Sequence, residues 1–116
     1  MKSLRIKNNL LVTELNITYK GKQFSFENVV VSTTALHTVL SSNAAEKVGI
    51  IQIGRDSLFH TVDAINVGPL KVIDFPLEVR DLSETESDGI LGLDFLKKVG
   101  AKINLDSMTL SGSRIS

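Results

Sequence analysis

Three consecutive hydroxyl side chains are the residues best placed to do chemistry. The tetrad Ser-Thr-Thr-Ala, residues 32 to 35, follows the apolar run Val29-Val30-Val31. A serine at a strand end acts as a nucleophile when a histidine removes its proton and an acid orients that histidine. His37 lies five residues after Ser32, but the sequence shows no oxyanion-hole motif and no orienting acid. The pattern therefore argues against a serine hydrolase.

The composition excludes several kinds of functional site. The 116 residues include no cysteine, which rules out disulfides and thiolate metal sites. The two histidines, His37 and His60, are interpreted as packed or surface residues, and we expect no metal and no cofactor. Thirteen basic residues balance 13 acidic ones, which gives no basic footprint for nucleic acid or anionic membranes. No stretch approaches the roughly 18–20 apolar residues of a membrane span, so we expect a soluble, cytoplasmic protein.

The elements that position the tetrad are predicted to be strands. Residues 11–19 alternate between apolar and polar side chains, which is typical of a strand. Lys20–Gln23 predicts a turn in which Gly21 can take a positive φ, and a second strand then runs through Phe24 and Phe26 into Val29–Val31. The hairpin therefore ends at the tetrad.

A short helix and further strands follow the tetrad. Ser41, Ser42 or Asn43 can cap a helix that Gly49 ends, and residues 50–82 return to strand patterns. Pro76 in that region favours an edge strand or a strand start.

The segment DGILGLDFLKKVG, residues 88–100, has a different character. It predicts a short buried strand at Ile90-Leu91, a sharp turn at Gly92 and a short helix with Asp94 as its N-cap or first-turn carboxylate. Residues 101–110 then predict one final strand with Ile103 and Leu105 turned inward. The whole order predicts an all-β chain with two short helices in one domain, residues 1–116.

Three of these features together resemble the retropepsin-like aspartic protease family, in the single-lobe form found in retroviral and bacterial proteins. The hairpin ends in the tetrad where that family has Asp-Thr-Gly-Ala; VLSSNAAEKVGI, residues 39–50, matches its helix position; and Ile90-Leu91-Gly92 matches its hydrophobic-hydrophobic-glycine motif. The resemblance covers residues 8–112. It implies a retropepsin-like acid protease β-barrel with a ψ-type strand crossing at Ile90–Gly92 and one or two short helices.

The tetrad departs from the family at the catalytic position. Ser32 takes the place of the aspartate, Thr33 keeps the threonine, Thr34 replaces the glycine and Ala35 keeps the alanine. In the family, two aspartates share one proton, so that one carboxylate is the base and the other the acid for the attacking water. A serine hydroxyl does not ionise in the accessible pH range, and Thr34 adds a β-branched side chain where close backbone approach is needed. The chain as written is therefore expected to be inactive.

No other aspartate is a convincing substitute. The candidates are Asp56, Asp63, Asp74, Asp88 and Asp94, and none of them follows an apolar strand with Thr-Gly after it. A plain strand-to-loop transition in an unrelated β domain is the alternative interpretation of the tetrad.

The resemblance also implies a partner and a substrate. A chain of this length supplies half of a catalytic site, so two copies would meet as a homodimer across the Ser32 loop. A flap is expected near Ile53 to Val62, and an extended peptide or protein substrate would lie between flap and tetrad, bound largely through its main chain. Ala35, Gly54, Arg55 and Asp56 are the expected substrate-binding residues.

Two functions follow from this sequence. The first is an aspartic endopeptidase homologue that acts as a homodimer on extended peptides and has lost its catalytic aspartate. The second is a non-catalytic β domain that binds peptides or proteins. Whether Ser32 and Thr34 are natural or deliberate replacements is open at this point.

Overall fold

The computed structural model describes residues 1–50 and 59–113. Its elements in chain order are β1 (Lys2–Ser3), β2 (Arg5–Lys7), β3 (Leu10–Tyr19), β4 (Lys22–Val31), β5 (Val39–Ser41), α1 (Ser42–Val48), β6 (Phe59–Val67), β7 (Leu70–Arg80), β8 (Gly89–Leu91), α2 (Leu93–Lys98), β9 (Ala101–Asn104) and β10 (Thr109–Gly112). The predicted all-β architecture with two short helices is confirmed.

Six of the strands close into a barrel. The larger sheet runs in the order β2-β3-β4-β8-β5-β7-β6, and an additional pairing of β6 with β3 closes the six strands from β3 to β6, with β2 outside the barrel. The hairpin β3–β4 turns at Lys20 and Gly21, which both have positive φ, at 51° and 77°. Two successive positive φ values give the turn whose twist matches that of the flanking strands. The tetrad follows directly after the second strand of this hairpin.

Strand β8 lies between two strands that are consecutive along the chain. It pairs parallel with β4, with Val30 opposite Ile90, and antiparallel with β5, with Val39 opposite Ile90. β4 and β5 are therefore held apart by a strand from much later in the sequence. This is the ψ-type crossing that the resemblance implied, and it places the segment before α2 beside the end of β4.

A second, three-stranded sheet joins the two ends of the described chain. Its order is β1-β10-β9, and all of its pairings are antiparallel. β1 pairs with β10 from Lys2 opposite Leu110 to Ser3 opposite Thr109. In the described part of the chain, β9 pairs with β10 alone, so one edge of β9 is open.

The core fills the barrel and the space under α2. Its largest fully buried side chains include Leu15, Ile17, Leu40, Leu77 and Phe95. Burial of such side chains is worth about 1.5–3 kcal/mol each, which makes the barrel a rigid support for the tetrad.

Both ends of α1 follow the predicted capping chemistry. Ser41 is the N-cap, and its hydroxyl accepts a hydrogen bond from the Ala44 N–H at 3.0 Å. Gly49 ends the helix in the left-handed conformation with φ 94°, and its N–H donates to Ala45 O at 3.0 Å.

Two other predictions met different outcomes. Pro76 lies inside β7, where that strand pairs with β6 but not yet with β5, so its position is a local edge as predicted. The single final strand was wrong: residues 101–112 form the β9–β10 hairpin, and Leu105 lies in its turn with 64% of its surface exposed. In the residues described, no helix is both long and apolar enough to cross a membrane.

Candidate functional site

The tetrad begins where β4 ends. The Ser32 N–H donates to Leu91 O at 3.0 Å, which extends the parallel β4–β8 ladder by one step. Ser32 is half-buried, whereas Thr33 and Thr34 are exposed. The sequence-predicted residues 32–35 are thus held together on one rigid strand end.

The Ser32 hydroxyl is the hydrogen-bond centre of the tetrad. Its Oγ accepts from the Thr34 N–H at 3.3 Å and from the Ala35 N–H at 3.2 Å. Its Oγ also lies 3.0 Å from Thr34 Oγ1, where either hydroxyl can donate. Serine side chains commonly stabilise turns through such bonds to following amides. Both amide donors therefore converge on the Ser32 Oγ.

The turn before α2 packs closely against the residues after the tetrad. The Leu93 N–H donates to Ala35 O at 2.8 Å, and the Asp94 N–H donates to Leu36 O at 3.2 Å. A Cβ on Gly92 would lie 2.6 Å from His37 O and 2.9 Å from Ala35 O. Glycine is therefore required at this position because any side chain would push the tetrad loop away.

Asp94 lies in the first turn of α2, which confirms one of the two predicted positions, and Gly92 is the N-cap. The carboxylate also binds across the site: its Oδ2 accepts from the Thr38 N–H at 3.0 Å, and its Oδ1 accepts from Thr38 Oγ1 at 2.7 Å. Thr38 Oγ1 in turn accepts from the Gly92 N–H at 3.1 Å. Thr38 was not among the predicted site residues, because nothing local in the sequence marks a partner 56 residues from Asp94.

One row of side chains crosses the sheet beside Ser32. Strand register places Val30, Ile90, Val39, Glu78 and Phe59 opposite one another in sequence across β4, β8, β5, β7 and β6. Opposite residues share a face of the sheet, and Ser32 follows Val30 by two residues on that face. This row could not be predicted from the sequence, since it depends on the register of five strands.

The row contains one buried carboxylate. Glu78 is 7% exposed and pairs with the guanidinium of Arg80, two residues along the same strand. Phe59, at the end of the row, is half exposed and lies edge-on to the ring of His37 with 5.0 Å between ring centroids. Leu36 beside His37 is exposed as well. The surface next to the tetrad is therefore apolar and aromatic.

The two histidines lie on different elements. The Nδ1 of His37 is 4.0 Å from the Asp94 carboxylate, and its side chain is half exposed. His60 lies on β6, and its Nε2 is buried with no hydrogen-bond partner among the described residues. Among the described residues, His37 makes no hydrogen bond to Ser32. No group of three or more histidine or acidic side chains in residues 1–50 and 59–113 could hold a metal ion.

Three predicted substrate-binding residues, Gly54, Arg55 and Asp56, lie outside the described residues. The fourth, Ala35, lies in the site. Its N–H donates to Ser32 Oγ and its carbonyl accepts from the Leu93 N–H, so it can offer a ligand only the second lone pair of that carbonyl.

A shallow, mainly apolar depression of about 230 Å³ adjoins the tetrad. Thr33 lines it together with Leu93 and Leu96 of α2 and Ala101 and Ile103 of β9. The depression is thus continuous with the open edge of β9. An apolar surface next to an unpaired strand edge is a favourable place for another chain to pair.

The topology is that of a retropepsin-like β-barrel. The structure is similar to the retroviral protease-like domain of Ddi1 from Leishmania major, with 20% identity, a TM-score of 0.62, and coverage of 91% of this chain and 89% of that chain. It is also similar to a retropepsin-like aspartic protease from Rickettsia conorii, with 18% identity, a TM-score of 0.66, and coverage of 90% and 82%. No family model and no curated protein matches the sequence. The chain therefore has the retropepsin-like aspartic protease fold, which confirms the fold that the sequence resembled.

Proposed function

We propose that the chain is a retropepsin-like aspartic endopeptidase homologue that binds extended peptides as a homodimer and is inactive as given. The observation that carries the proposal is the position of Ser32. Ser32 lies at the end of β4 beside β8, and its hydroxyl accepts hydrogen bonds from the amides of Thr34 and Ala35. In this fold that place belongs to the catalytic aspartate of the resembled family.

Loss of activity follows from the chemistry of the hydroxyl. General acid-base assistance contributes about 10²–10⁴ in rate, and it needs a group that exchanges a proton near the working pH. Two serines at a two-fold axis offer no such group, so neither partner can activate water. Thr34 adds a further change, because its hydroxyl lies against Ser32 Oγ.

The homodimer proposal is supported by the position of β9. A half-site at Ser32 needs a second copy, and the open edge of β9 is continuous with Thr33 through the apolar depression. Antiparallel pairing of one edge with its own copy is two-fold symmetric, as a closed dimer requires. The partner would therefore cover an apolar surface and complete the site in one contact.

Side-chain chemistry selects the register of that pairing. Ala101 and Ile103 are half-buried on one face of β9, and Lys102 and Asn104 are exposed on the other. A two-fold axis at Lys102 would oppose two like charges, which is destabilising. An axis at Ile103 opposes two isoleucines and places Lys102 against Asn104 of the second copy, so this is the register we propose.

The exposed surface beside the tetrad suggests the substrate class. Leu36, Phe59 and the ring of His37 make the exposed surface near the tetrad apolar and aromatic. An extended peptide with bulky apolar side chains fits it better than a strongly charged one, since apolar contact area supplies the binding energy.

Restoring the aspartate tests the catalytic part. The double variant Ser32→Asp, Thr34→Gly should cleave a peptide library when assayed between about pH 4 and 7, because it restores a carboxylate pair that can share one proton. The matched control is Ser32→Asn, Thr34→Gly, which has the same shape but cannot exchange that proton. Cleavage by the aspartate variant alone supports the proposal. Cleavage by the unaltered chain would overturn the assignment of Ser32.

Sedimentation tests the dimer. Ile103→Lys should shift the unaltered chain from dimer to monomer, because it places two charges opposite each other at the proposed axis. Ile73→Lys is the control, since it makes the same substitution at an exposed isoleucine of β7, a strand that does not pair with β9. A monomer in the unaltered chain at micromolar concentration would contradict the shared site.

The second candidate function, a non-catalytic peptide-binding domain, is favoured by the bond between Ser32 and Thr34. The two hydroxyls satisfy each other and two backbone amides, so the tetrad is well ordered without a carboxylate. If the aspartate variant is a folded dimer that cuts nothing, while the unaltered chain binds apolar peptides in a fluorescence anisotropy assay, this function is the correct one.

A further inference from the structure

We propose that Asp94 and Thr38 act as positioning residues for the tetrad, an inference that rests on the proposed function. Both lie outside the tetrad, and both are side chains whose polar atoms reach another segment of the chain. Thr38 is fully buried, one of four buried polar or charged side chains in the described residues. A buried hydroxyl needs partners, and those of Thr38 all lie on the segment that begins α2.

The contact is a closed set of hydrogen bonds. The Asp94 carboxylate accepts from both the N–H and the hydroxyl of Thr38, one bond to each oxygen. The Thr38 hydroxyl accepts from the Gly92 N–H. Hydrogen bonds to a charged acceptor are about twice as strong as those between neutral groups. The two residues therefore fix the end of the tetrad loop to the start of α2.

Two backbone bonds make the same connection closer to the tetrad. The Leu93 N–H donates to Ala35 O, and the Asp94 N–H donates to Leu36 O. Ala35 in turn donates its N–H to Ser32 Oγ at 3.2 Å. A shift of Asp94 would thus reach Ser32 through two residues, Leu93 and Ala35. The Ser32 side chain is oriented from one end by β4 and from the other by the Asp94–Thr38 contact.

Asp94 also makes more hydrogen bonds than the first turn of α2 requires. It already accepts from the Phe95 N–H at 2.7 Å, as a first-turn carboxylate can. A carboxylate that only stabilised α2 would not need hydrogen bonds to Thr38, which lies 56 residues away in the chain. The Nδ1 of His37, 4.0 Å from Asp94, is the other titratable group that faces it among the described residues.

The test removes one hydroxyl without changing the shape of the core. In the Ser32→Asp, Thr34→Gly chain, Thr38→Val deletes the hydroxyl, and Thr38→Ser keeps it while losing a methyl group. A misplacement of about 1 Å costs up to about 100-fold in rate. We expect Thr38→Val to lower kcat by about 10- to 100-fold with little change in KM, and Thr38→Ser to retain most of kcat. A purely structural role would instead lower the folded fraction in both variants and leave kcat per folded dimer unchanged.

A second measurement does not depend on restored activity. In the unaltered chain, amide hydrogen exchange of Thr34 and Ala35 reports the bonds to Ser32 Oγ. Thr38→Val and Asp94→Ala should accelerate exchange at both amides, whereas Thr38→Ser should not, and the Gly49 amide at the end of α1 is the internal control. Unchanged exchange and unchanged kcat would overturn the inference. If the aspartate variant cuts nothing but exchange responds as expected, the proposed catalysis fails and the positioning role stands.

Discussion

Gly92→Ala is the substitution for which the structure makes the sharpest stability prediction. Gly92 has φ −102°, which alanine adopts freely. By backbone entropy alone, the change would stabilise the fold by about 0.4–1 kcal/mol. The new Cβ would, however, lie 2.6 Å from His37 O and 2.7 Å from His37 C, both of which are backbone atoms that cannot rotate away.

The steric clash, rather than the backbone entropy, determines that Gly92→Ala lowers the free energy of unfolding. Overpacking of this kind costs about 1–3 kcal/mol, and contacts to backbone on two residues place Gly92→Ala near the upper end. Since a domain has about 5–15 kcal/mol of total stability, the loss should lower the melting temperature by about 10 °C in a chain of this size. Ala35 O, 2.9 Å from the same Cβ, would move as well, so the tetrad should be displaced.

Urea unfolding followed by circular dichroism would measure the change in unfolding free energy. Gly49→Ala is the matched control, because Gly49 has φ 94° but no described atom within 4 Å of the methyl group that alanine would add. It should cost about 1–2 kcal/mol through backbone strain alone and leave amide exchange in the tetrad unaffected. A Gly92→Ala protein as stable as the unaltered chain, or more stable, would refute the close packing of β8, α2 and the tetrad.

Three further changes test the supports of the site. Ser41→Ala should cost about 1 kcal/mol in urea unfolding, because it removes the N-cap bond to α1; Ser42→Ala is the control. Phe95→Ala should cost about 3–5 kcal/mol, since its ring is fully buried, and an unfolding free energy that barely changes would contradict the core. The Ser83 backbone N–H and then its side chain lower the pKa of Asp81. Its stabilisation is present above the unfolded-state pKa and is lost as the pH falls through the folded-state pKa, so Asp81→Asn should flatten the acid limb of stability against pH.

The parts of the fold that the sequence predicted are those encoded by neighbouring residues. Ser41 and Gly49 lie at the two ends of α1 because capping needs one hydroxyl and one positive φ, both visible in a few letters of sequence. The turn at Lys20 and Gly21 is of the same kind. The tetrad was predicted from its place at the end of an apolar run, and the structure holds it at that strand end.

The β9–β10 turn shows how a local pattern can mislead. Ile103 and Leu105 alternate as in a continuing strand, but the Asn104 side chain accepts from the N–H groups of Asp106 at 2.9 Å and Ser107 at 3.1 Å. Such a side-chain turn competes with strand pairing, and it reverses the chain one residue after Asn104. The polar cluster at residues 104–107 was the available signal.

Other features of the site could not be predicted because they arise from distant segments. The bond between Thr38 and Asp94 joins residues 56 positions apart, and the row from Val30 to Phe59 needs the register of five strands. A single sequence carries no direct record of such pairings. The role of Gly92 was recognised as a turn, whereas the structure shows that the stronger constraint is the backbone of His37 beside it.

The donors around Ser32 show that the tetrad loop is held in place without a carboxylate at position 32. The amides of Thr34 and Ala35 converge on one oxygen, and the Ser32 hydroxyl supplies it. The loop geometry is therefore independent of the group that would carry the proton. The loop bonds need an acceptor at position 32, whereas the proposed hydrolysis would also need an acid there. A substitution can thus remove the chemistry while the β4 end, the turn at Gly92 and the Asp94–Thr38 contact keep the site in place, and this is why restoring two side chains is a meaningful test of function.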